Sequence, residues 1–532
     1  MTLTSKVFNY QFIHKGTYTL LNTRADQNKR FALFSFFGLR FFKKILSLQV
    51  DFILPIQGKT NKQYNIMALI KSISGFRGTI GGQCGDNLTP IDLVGFVSAF
   101  AQFIKEKTGK ERIKILIGRD ARISGEMVSH LVTGTLMAMG VDVLDTGLST
   151  TPTTEVAVVD NGADGGIILT ASHNPVQWNA LKFLAGNGEF ISKQDGERVL
   201  ELAAKNEFSY AEAMALGSYT KVEDAVEKHI EKVLSLPLVD VEAIKAADFR
   251  VAVDAVNSTG GFVLEKLLDK LGVKHVFTLN GEPTGLFAHN PEPLPENIKD
   301  ICDLVEKEHC NVGFVVDPDV DRLALVTESG NPFVEEYTLV SVADYVLEHT
   351  PGNTVSNLSS SRALRDVTEK KYGQQYNAAA VGEVNVIAKM KETNAVIGGE
   401  GNGGVIYPEC HYGRDALVGI ALFLTLLAKR KTTCTDLRDE LPKYVIAKKR
   451  MDLTPEINVD DILEKMAAKY ANYDVITIDG VKINFESEWV HLRKSNTEPI
   501  IRIYAESDSE VKADHLANVI IDDITAIVRE NL

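Results

Sequence analysis

The sequence contains few cysteines, no long apolar run and no excess of basic residues. Its five cysteines are scattered without CxxC spacing, so neither a disulfide framework nor a zinc site is indicated. No uncharged apolar stretch reaches the roughly 18 residues that a membrane-spanning helix needs. Because 57 Lys and Arg stand against 71 Asp and Glu, a broad nucleic-acid surface is excluded. We therefore expect an acidic, cytoplasmic protein that binds neither membranes nor nucleic acid.

The chain is long enough for several domains, but its first 66 residues differ from the rest. At roughly 150 residues per domain, 532 residues predict three to four domains. Residues 1–66 carry ten Lys or Arg, two Asp and nine of the 24 Phe. Such a basic, acid-poor segment is compatible with a transit peptide or a membrane-surface helix. We favour a dispensable, disordered extension, or a translation start at Met67, where the composition changes.

From Met67 onward, strand patterns alternate with helix patterns. Short β-branched runs predict strands that end in polar or glycine-rich loops, at 114–117, 166–169, 250–253, 312–316 and 395–398. Helical periods cover 223–234 and 417–429. The alternation predicts α/β units around a largely parallel sheet, whose ligands bind beyond the carboxyl ends of the strands. A strand pair near 475–485 and a long helix over 509–529 predict a separate α+β domain at the C-terminus.

The loop at 317–322 is the strongest single feature of the sequence. Asp317, Asp319 and Asp321 alternate in DPDVDR, so their carboxylates can converge on one hard cation such as Mg²⁺ or Ca²⁺. An EF-hand is excluded because Arg322 occupies the position that needs glycine and strand-like runs flank the loop. A solvated acidic turn is the alternative, although three neighbouring acids repel one another unless they are neutralised.

The loop at 399–404 reads GEGNGG and formally matches the G-x-G-x-x-G fingerprint of dinucleotide sites. A strand-like run follows it in place of a helix, and no acidic residue lies about 20 positions further on. A nicotinamide site is therefore not expected. Glycines beside Glu400 and Asn402 instead suit the close approach of a hydroxylated ligand.

Two further loops combine residue types that carry chemistry. The loop at 170–175 places Ser172 beside His173 after a buried strand, but the G-x-S-x-G elbow of a serine hydrolase is absent. A common turn is the alternative reading of that loop. The segment 493–499, followed by Arg502, combines two Arg, one Lys and two hydroxyls, which suit a phosphate grip as well as a surface charge run.

Together these four loops resemble those of the α-D-phosphohexomutases, the phosphoglucomutase/phosphomannomutase superfamily. TASHNP at 170–175, DPDVDR at 317–322, GEGNGG at 399–404 and RKSNTEP at 493–499 occur in the family's order, supported by SGFRGTIG at 74–81 and GRDARISG at 118–125. The resemblance implies an α/β fold of four domains around a central cleft, with three similar α/β domains plus a C-terminal α+β domain. The implied domains are 67–218 (phosphoserine loop), 219–330 (metal loop), 331–440 (sugar loop) and 441–532 (phosphate loop).

The resemblance also implies a role for individual residues. Ser172 resembles the phosphoserine that passes a phosphoryl group to and from the sugar, with Arg77, His173 and Lys182 beside it. Mg²⁺ would be held by Asp317, Asp319, Asp321 and the phosphate on Ser172. The implied contacts to the sugar phosphate are Arg322, Glu383, Glu400, Gly401, Asn402, Arg493, Ser495, Asn496, Thr497 and Arg502. A sugar 1,6-bisphosphate is the implied intermediate and activator, and sugar phosphates are the expected partners of a monomer or homodimer.

Two departures from the family pattern bear on the choice of sugar. Hexose enzymes of the family usually read GE-x-SGH in the sugar loop, whereas this chain has Asn402 for the Ser and Gly404 for the His. Glu383 stands where hexose enzymes often carry His, and an acid there would pair with a 2-ammonium group at about 1–2 kcal/mol. The resemblance is closest to archaeal-type and Bacteroides-type phosphoglucosamine mutases.

We therefore expect an isomerase that interconverts glucosamine 6-phosphate and glucosamine 1-phosphate. The alternative is a phosphoglucomutase/phosphomannomutase that acts on glucose and mannose phosphates. A binding protein without activity is disfavoured because it would need neither Ser172 nor the three Asp residues. A phosphatase is disfavoured because it would leave the loop at 493–499 unexplained.

Overall fold

Four β-sheets organise the part of the chain that the structure describes. The structure is a computed structural model, and it describes residues 69–72, 75–454, 457–494 and 500–531. The predicted extension at 1–66 therefore lies outside the described residues. Across the described ranges, no helix combines the length and the apolarity that a membrane crossing requires.

The first sheet is mixed, with parallel strands on one side and antiparallel strands on the other. Its strands are β1 (Ile70–Ser72), β2 (Gly75–Thr79), β3 (Lys114–Arg119), β4 (Asp142–Leu148), β5 (Gly165–Leu169), β6 (Trp178–Ala185) and β7 (Tyr219–Lys221). They lie in the order β1-β2-β6-β5-β3-β4-β7. Its helices are α1 (Pro90–Thr108), α2 (Gly125–Ala138), α3 (Thr151–Asp160) and α4 (Lys193–Lys205). The structure places β7 in this sheet, just past the boundary predicted at residue 218.

The second and third sheets have four strands each and share one pattern of pairing. The second has β8 (Arg250–Asp254), β9 (His275–Leu279), β10 (Val312–Val316) and β11 (Leu323–Thr327), in the order β11-β10-β8-β9. The third has β12 (Asn353–Asn357), β13 (Tyr376–Ala379), β14 (Ala395–Glu400) and β15 (Gly404–Ile406), in the order β13-β12-β14-β15. In both sheets the last strand is antiparallel and the other pairs are parallel.

The helices of this middle part flank the two sheets. Those around the second sheet are α5 (Ala225–Leu234), α6 (Val241–Ala247), α7 (Gly260–Lys270) and α8 (Lys299–Lys307). Those around the third are α9 (Glu336–His349), α10 (Ala363–Asp366, continued by a π-turn at Val367–Lys371), α11 (Glu383–Thr393), α12 (Ala416–Arg430) and α13 (Cys434–Glu440). A continuous apolar core joins the second and third sheets, and Phe314, Phe333 and Phe423 lie in it with edge-to-face ring contacts.

The C-terminal part has an entirely antiparallel sheet and a core of its own. Its strands are β16 (Val445–Asp452), β17 (Asp474–Ile476), β18 (Val481–Asn484), β19 (Trp489–Lys494) and β20 (Ile500–Ser507), in the order β16-β20-β19-β18-β17. Helices α14 (Val459–Lys469) and α15 (Glu510–Asn531) complete it. Its apolar core includes Ile483, Leu492, Ile503 and Ile520. The separate α+β unit that the sequence predicts is thus confirmed.

The predicted strands and helices are confirmed with small changes at their ends. The strand at 312–316 is found with the predicted bounds, and the helix at 417–429 is one residue longer at each end. The sheets are less parallel than expected, because β10 and β11 are joined by only six residues and β14 and β15 by only three. Such connections are too short for a crossover helix, so each makes an antiparallel hairpin. The first connection is the loop at 317–322 with its three Asp residues, called the acidic loop below, and the second lies within the sugar loop at 399–404.

Candidate active site

The Ser172 loop follows β5 and directs the hydroxyl of Ser172 toward the acidic loop. Ser172 Oγ donates a hydrogen bond to Asp317 Oδ2 at 2.7 Å, and His173 Nδ1 lies 3.4 Å from the same Oγ. The backbone N–H of Ser172 donates to Thr170 Oγ1 at 2.9 Å. Ser172 has a φ of 47°, a left-handed conformation that is uncommon outside glycine and clusters at functional sites.

Arg122 fixes the shape of this loop, although it was absent from the predicted site. Its side chain is buried, and Nε donates to Asp120 Oδ2 at 3.0 Å. The two terminal nitrogens donate to backbone carbonyls of the serine loop, at Ser172, Asn174 (2.6 Å) and Pro175 (2.8 Å). The GRDARISG motif after β3 was the available signal, but nothing in it shows that the guanidinium reaches carbonyls about fifty residues away.

The acidic loop brings three buried carboxylates together. Asp317, Asp319 and Asp321 each offer one oxygen within 4.8 Å of the others, and all three residues are fully buried. Within the described residues, Oδ1 of Asp319 and Oδ1 of Asp321 accept no hydrogen bond. Burial, and then repulsion from the other two acids, holds the pKa of Asp317 well above its usual range. Unpartnered carboxylate oxygens at this spacing fit a hard divalent cation such as Mg²⁺.

Lys182 supplies the nearest fixed positive charge. It lies in β6, and its Nζ donates to Asp319 Oδ2 at 2.8 Å and lies 3.9 Å from Asp321 Oδ2. Burial opposes the ionised form of Asp319, but this ion pair dominates and lowers the pKa of the carboxyl. Burial likewise opposes the charged form of Lys182, yet Asp319 and Asp321 raise its pKa, so the pair stays ionised.

Arg77 and Arg322 flank the serine loop on other sides. Arg77, in β2, donates to Asn174 Oδ1 at 2.8 Å, and burial lowers the pKa of its guanidinium. Arg322 donates from NH1 to Glu292 Oε1 at 3.0 Å. Its Nε donates to no acceptor among the described residues and lies 4.0 Å from Asp317 Oδ2. Arg322 Nε thus lies beside the acidic loop without an acceptor among the described residues, while Arg77 is held against the serine loop through Asn174.

The sugar loop ends β14 with Glu400, whose carboxylate is held from two sides. Oε1 of Glu400 accepts from Asn357 Nδ2 at 2.8 Å and from the backbone N–H of Gly382 at 3.0 Å. Oε2 accepts from Arg414 NH1 at 2.7 Å. Asn402 Nδ2 lies 3.5 Å from the same Oε2. Burial opposes ionisation of Glu400, but Arg414 and these hydrogen bonds lower its pKa.

Arg414 is the residue that sequence reasoning missed at the centre of the site. Besides Glu400, its guanidinium contacts Asp321 Oδ2 at 2.6 Å and Glu383 Oε2 at 3.4 Å. One arginine thus links the acidic loop, the sugar loop and the start of α11. A Cβ at Gly404 would collide with Cδ of Arg414, so glycine at this position leaves the space that the side chain occupies. The departure from His at position 404 was the available signal.

The structure changes the role expected of Glu383. Its carboxylate is buried and accepts the backbone N–H of Arg414 at 2.7 Å, beside the contact with the guanidinium of the same residue. Glu383 does not line the cleft, whereas Glu400 and Asn402 do. The structure thus points to an indirect role for Glu383 through Arg414, and its direct pairing with a sugar ammonium group stays an untested prediction.

A cleft of about 240 Å³ collects side chains from all four sheet regions. Predicted residues that line it are His173, Arg322, Glu400, Gly401, Asn402, Arg493 and Arg502.

Arg493 and Arg502 lie directly opposite each other on β19 and β20, where two like charges favour an anion between them. Asp479 Oδ2, 3.0 Å from Arg493 Nε, compensates part of this charge. Several residues that were not predicted also line the cleft, among them Glu335, Glu336 and Lys448. The predicted Ser495, Asn496 and Thr497 lie outside the described residues.

Four sequence profiles of one family match consecutive stretches of the chain. They are described as phosphoglucomutase/phosphomannomutase alpha/beta/alpha domain I, domain II, domain III and C-terminal domain. The matches cover residues 70–210, 227–330, 335–444 and 449–523.

Individual proteins match over most of their length. The protein named phosphoglucomutase/phosphomannomutase from Thermococcus kodakarensis is 37% identical over 442 residues, which are 82% of this chain and 95% of the relative. The phosphoglucosamine/phosphogalactosamine mutase of Sulfurisphaera tokodaii is 34% identical over 458 residues, 85% of this chain and 98% of the relative. Among solved structures, a putative phosphomannomutase from Thermus thermophilus matches with a TM-score of 0.72 at 25% identity, covering 87% of this chain and 99% of that one.

Asp319→Asn should weaken binding of Mg²⁺ to the acidic loop by about 10-fold or more, because a neutral amide replaces one of three anionic ligands. Titration calorimetry of the full chain with Mg²⁺ alone, or electron paramagnetic resonance with Mn²⁺, measures the affinity. Asp303→Asn, an exposed carboxylate on α8, is the matched control and should leave the affinity unchanged. Equal affinities of Asp319→Asn and wild type would contradict the metal site.

Proposed function

The chain belongs to the phosphoglucomutase/phosphomannomutase family and is a phosphosugar mutase, and from this premise we propose that it interconverts glucosamine 6-phosphate and glucosamine 1-phosphate. In the proposed route Ser172 passes a phosphoryl group to the sugar and takes one back from a sugar 1,6-bisphosphate. The observation that carries this route is the hydrogen bond from Ser172 Oγ to Asp317 inside a buried loop of three carboxylates.

Phosphoryl transfer depends on positioning and on charge stabilisation more than on covalent chemistry by the protein. Asp317, Asp319 and Asp321 would hold Mg²⁺, which when bound neutralises negative charge on the transferring group. Arg122 holds the serine loop by its carbonyls, so the hydroxyl meets the phosphate in a fixed orientation. The strained φ of Ser172 is maintained by the same contacts.

Ser172 is surrounded by fixed positive charges and by one group that can accept a proton. Lys182 places positive charge beside Asp319 and Asp321, and Arg77 places it beside Asn174 of the serine loop. His173 Nδ1, 3.4 Å from Ser172 Oγ, lies within reach of the hydroxyl proton as the oxygen attacks. Because Lys182 is held in an ion pair with Asp319, we assign it to charge stabilisation, with proton transfer to the leaving sugar oxygen as a second role.

The far side of the cleft suits the rest of the sugar phosphate. Glu400 would accept hydrogen bonds from sugar hydroxyls and Asn402 would donate hydrogen bonds to them. Gly401, between them, lines the cleft and leaves room for the carboxylate of Glu336, with which a Cβ would collide. Arg493 and Arg502, opposite each other on neighbouring strands, would grip the phosphate that is not reacting. Ser495, Asn496 and Thr497 stay predicted members of this grip. A mutase must bind its bisphosphate in two orientations, which a grip remote from Ser172 permits.

A carboxylate that lines the cleft supports an amino sugar as the substrate. Glu335 contacts Lys448 Nζ through Oε1 at 2.9 Å, while its buried Oε2 accepts no hydrogen bond from the described residues. An ammonium group at C2 of the sugar would donate a charge-assisted hydrogen bond to this oxygen. The hydrogen bond from a neutral hydroxyl would be weaker. The name of the Sulfurisphaera tokodaii relative agrees with an amino-sugar substrate. The second candidate, a mutase of glucose and mannose phosphates, is supported by the name of the Thermococcus kodakarensis relative.

The remaining assignments complete the proposal. Sugar phosphates are the proposed partners, and a sugar 1,6-bisphosphate is the proposed activator because it rephosphorylates Ser172. A cytoplasmic location, a monomeric or homodimeric state, and the domain boundaries after residues 218, 330 and 440 stay predictions.

The proposed substrate is tested by comparing kcat/KM for glucosamine 6-phosphate, glucose 1-phosphate and mannose 1-phosphate, with Mg²⁺ and a sugar 1,6-bisphosphate present. We expect a preference of tenfold or more for the amino sugar, about 1.4 kcal/mol of transition-state discrimination. Equal or faster turnover of the hexose phosphates would instead establish the second candidate. Turnover of none of the three, with each bound, would contradict mutase activity itself.

Ser172→Ala should abolish mutase turnover, because alanine has no oxygen to carry the phosphoryl group. Mass spectrometry of wild type after incubation with the bisphosphate should find phosphate on Ser172, and none should be found on the variant. Ser359→Ala, which alters another hydroxyl lining the cleft, is the matched control and should retain phosphorylation of Ser172. Turnover of Ser172→Ala comparable with wild type would remove Ser172 as the carrier.

Glu383→Gln should lower kcat/KM for glucosamine and glucose phosphates by the same factor, because Glu383 acts through Arg414 and does not touch the sugar. Glu335→Gln should instead lower turnover of the amino sugar selectively, by about tenfold. The comparison requires kcat/KM of both variants with both substrates. A selective loss of amino-sugar turnover in Glu383→Gln would restore its direct contact with the substrate.

A further inference from the structure

A second group of potential metal ligands lies outside the acidic loop, where α3, α5 and the loop before α12 meet. His229, Cys410, His411 and Asp415 each place one ligand atom within 4.8 Å of the others. His229 and Asp415 are almost fully buried, and Cys410 is 5% exposed. None of these side chains has a part in the proposed phosphoryl transfer, so the cluster calls for its own explanation.

The two imidazole rings converge on one carboxylate oxygen. His229 Nε2 lies 2.9 Å and His411 Nε2 lies 3.1 Å from Asp415 Oδ2. The rings stand nearly perpendicular, at 85°, with centroids 5.9 Å apart. The point on which the two nitrogens converge is thus Oδ2 of Asp415, and Cys410 places its Sγ within 4.8 Å of the ligand atoms of the other three residues. Such a convergence of His and Asp, with a sulfur close by, matches the ligand types that Zn²⁺ selects.

The outer atoms of the three ligands are also held in place. His411 Nδ1 lies 3.2 Å from Glu155 Oε2, and His229 Nδ1 lies 3.0 Å from Thr153 Oγ1. Asp415 Oδ1 accepts the backbone N–H of Leu417 at 2.8 Å at the start of α12. Metal-bound histidines almost always direct their second ring nitrogen to a carboxylate or another acceptor in this way. Hydrogen bonds to Thr153 and Leu417 therefore fix the orientation of His229 and Asp415, whereas His411 Nδ1 and Glu155 Oε2 are in contact without a hydrogen bond among the described residues.

The buried charges of the cluster are ones that a divalent cation would neutralise. Glu155 and Asp415 are both buried, and neither oxygen of Glu155 accepts a hydrogen bond from the described residues. Burial lowers the pKa of His411, but contacts with Asp415 and Glu155 raise it to about 9, so in the absence of metal its imidazolium compensates part of their charge. Zn²⁺ would displace that proton and take over the compensation.

We propose that His229, Cys410, His411 and Asp415 bind one structural Zn²⁺, with Glu155 and Thr153 orienting the two histidines. Four protein ligands leave no open position, which is typical of structural and not of catalytic zinc. On binding, the Cys410 thiol loses its proton to solvent and the thiolate becomes the fourth ligand. The proposal stands apart from the proposed function, since it shares no ligand with the acidic loop.

The proposed site would connect three regions of the chain. Its ligands come from the second and third sheet regions, and their orienting residues come from α3 of the first. The same α3 carries Thr151, whose Oγ1 donates to Asp319 Oδ2 at 2.6 Å. Arg414, which contacts Asp321, Glu383 and Glu400, directly precedes Asp415. Zinc would therefore hold the surroundings of the acidic loop without entering the reaction.

The test measures zinc in the full-length protein produced in zinc-supplemented medium and dialysed in excess Mg²⁺, which keeps zinc out of the acidic loop. We expect about one equivalent of zinc per chain, lost in His229→Gln and in His411→Gln. Glu155→Gln should weaken zinc binding by about 10- to 100-fold, as removal of an orienting carboxylate does. Addition of Zn²⁺ to the stripped wild-type protein should raise its Tm by about 3 °C or more.

Two controls separate this site from other sources of zinc binding. His275→Gln, an exposed histidine on β9, and Asp319→Asn should both keep the full zinc content. Co²⁺ in place of Zn²⁺ should give a thiolate charge-transfer band in wild type that Cys410→Ser lacks. The proposal is falsified if wild type retains no zinc and its Tm does not respond to Zn²⁺. Equal zinc content in wild type, His229→Gln and His411→Gln would overturn it as well, and the cluster would then be a metal-free hydrogen-bond network.

Discussion

Three carboxylates that are buried at the end of one strand repel one another, and the architecture around them supplies the compensating charge. Asp317, Asp319 and Asp321 have no access to water that would screen them, so their ionised forms require cations close by. Lys182 reaches them from the first sheet and Arg414 from the third. The hydroxyl of Ser172 approaches the same oxygens. The requirement for positive charge at one hairpin thus accounts for contacts among three regions of the chain.

Arg414 shows how a change in one loop is compensated by a residue elsewhere. Gly404 replaces a bulky residue of the usual family pattern and opens the space through which the arginine extends. In this space the guanidinium forms ion pairs with carboxylates from the acidic loop, the sugar loop and α11. Glu383 becomes part of this internal network, although its position in the sequence suggested a contact with substrate. Glu400, Asn402 and the unpredicted Glu335 line this part of the cleft, whereas Glu383 does not.

The neighbouring cluster of His229, His411 and Asp415 also buries acidic groups beside groups that can carry or bind a positive charge. Buried acidic groups are tolerated where a cation, fixed or bound, lies between elements that are distant in the chain. Arg414 and Asp415 are adjacent residues, the first in contact with carboxylates of the acidic loop and the sugar loop and the second with His229 and His411. The start of α12 is therefore held from both sides, which suits a segment that positions catalytic charge. A cysteine pattern without CxxC spacing gave no sign of this cluster, because its ligands come from separate parts of the fold.

The sequence by itself determined the elements and the residues at their ends. Short β-branched runs predicted the strands at 312–316 and 250–253, and loop composition marked Ser172, the three Asp residues and Glu400 as candidate site residues. These features are local, since hydrophobic period and turn chemistry act over a few residues. Only the tertiary structure decided which remote groups meet: Arg122 with the carbonyls of the serine loop, Arg414 with its three carboxylates, and His229 with His411. Such contacts depend on how sheets pack against one another, and no local pattern records that packing.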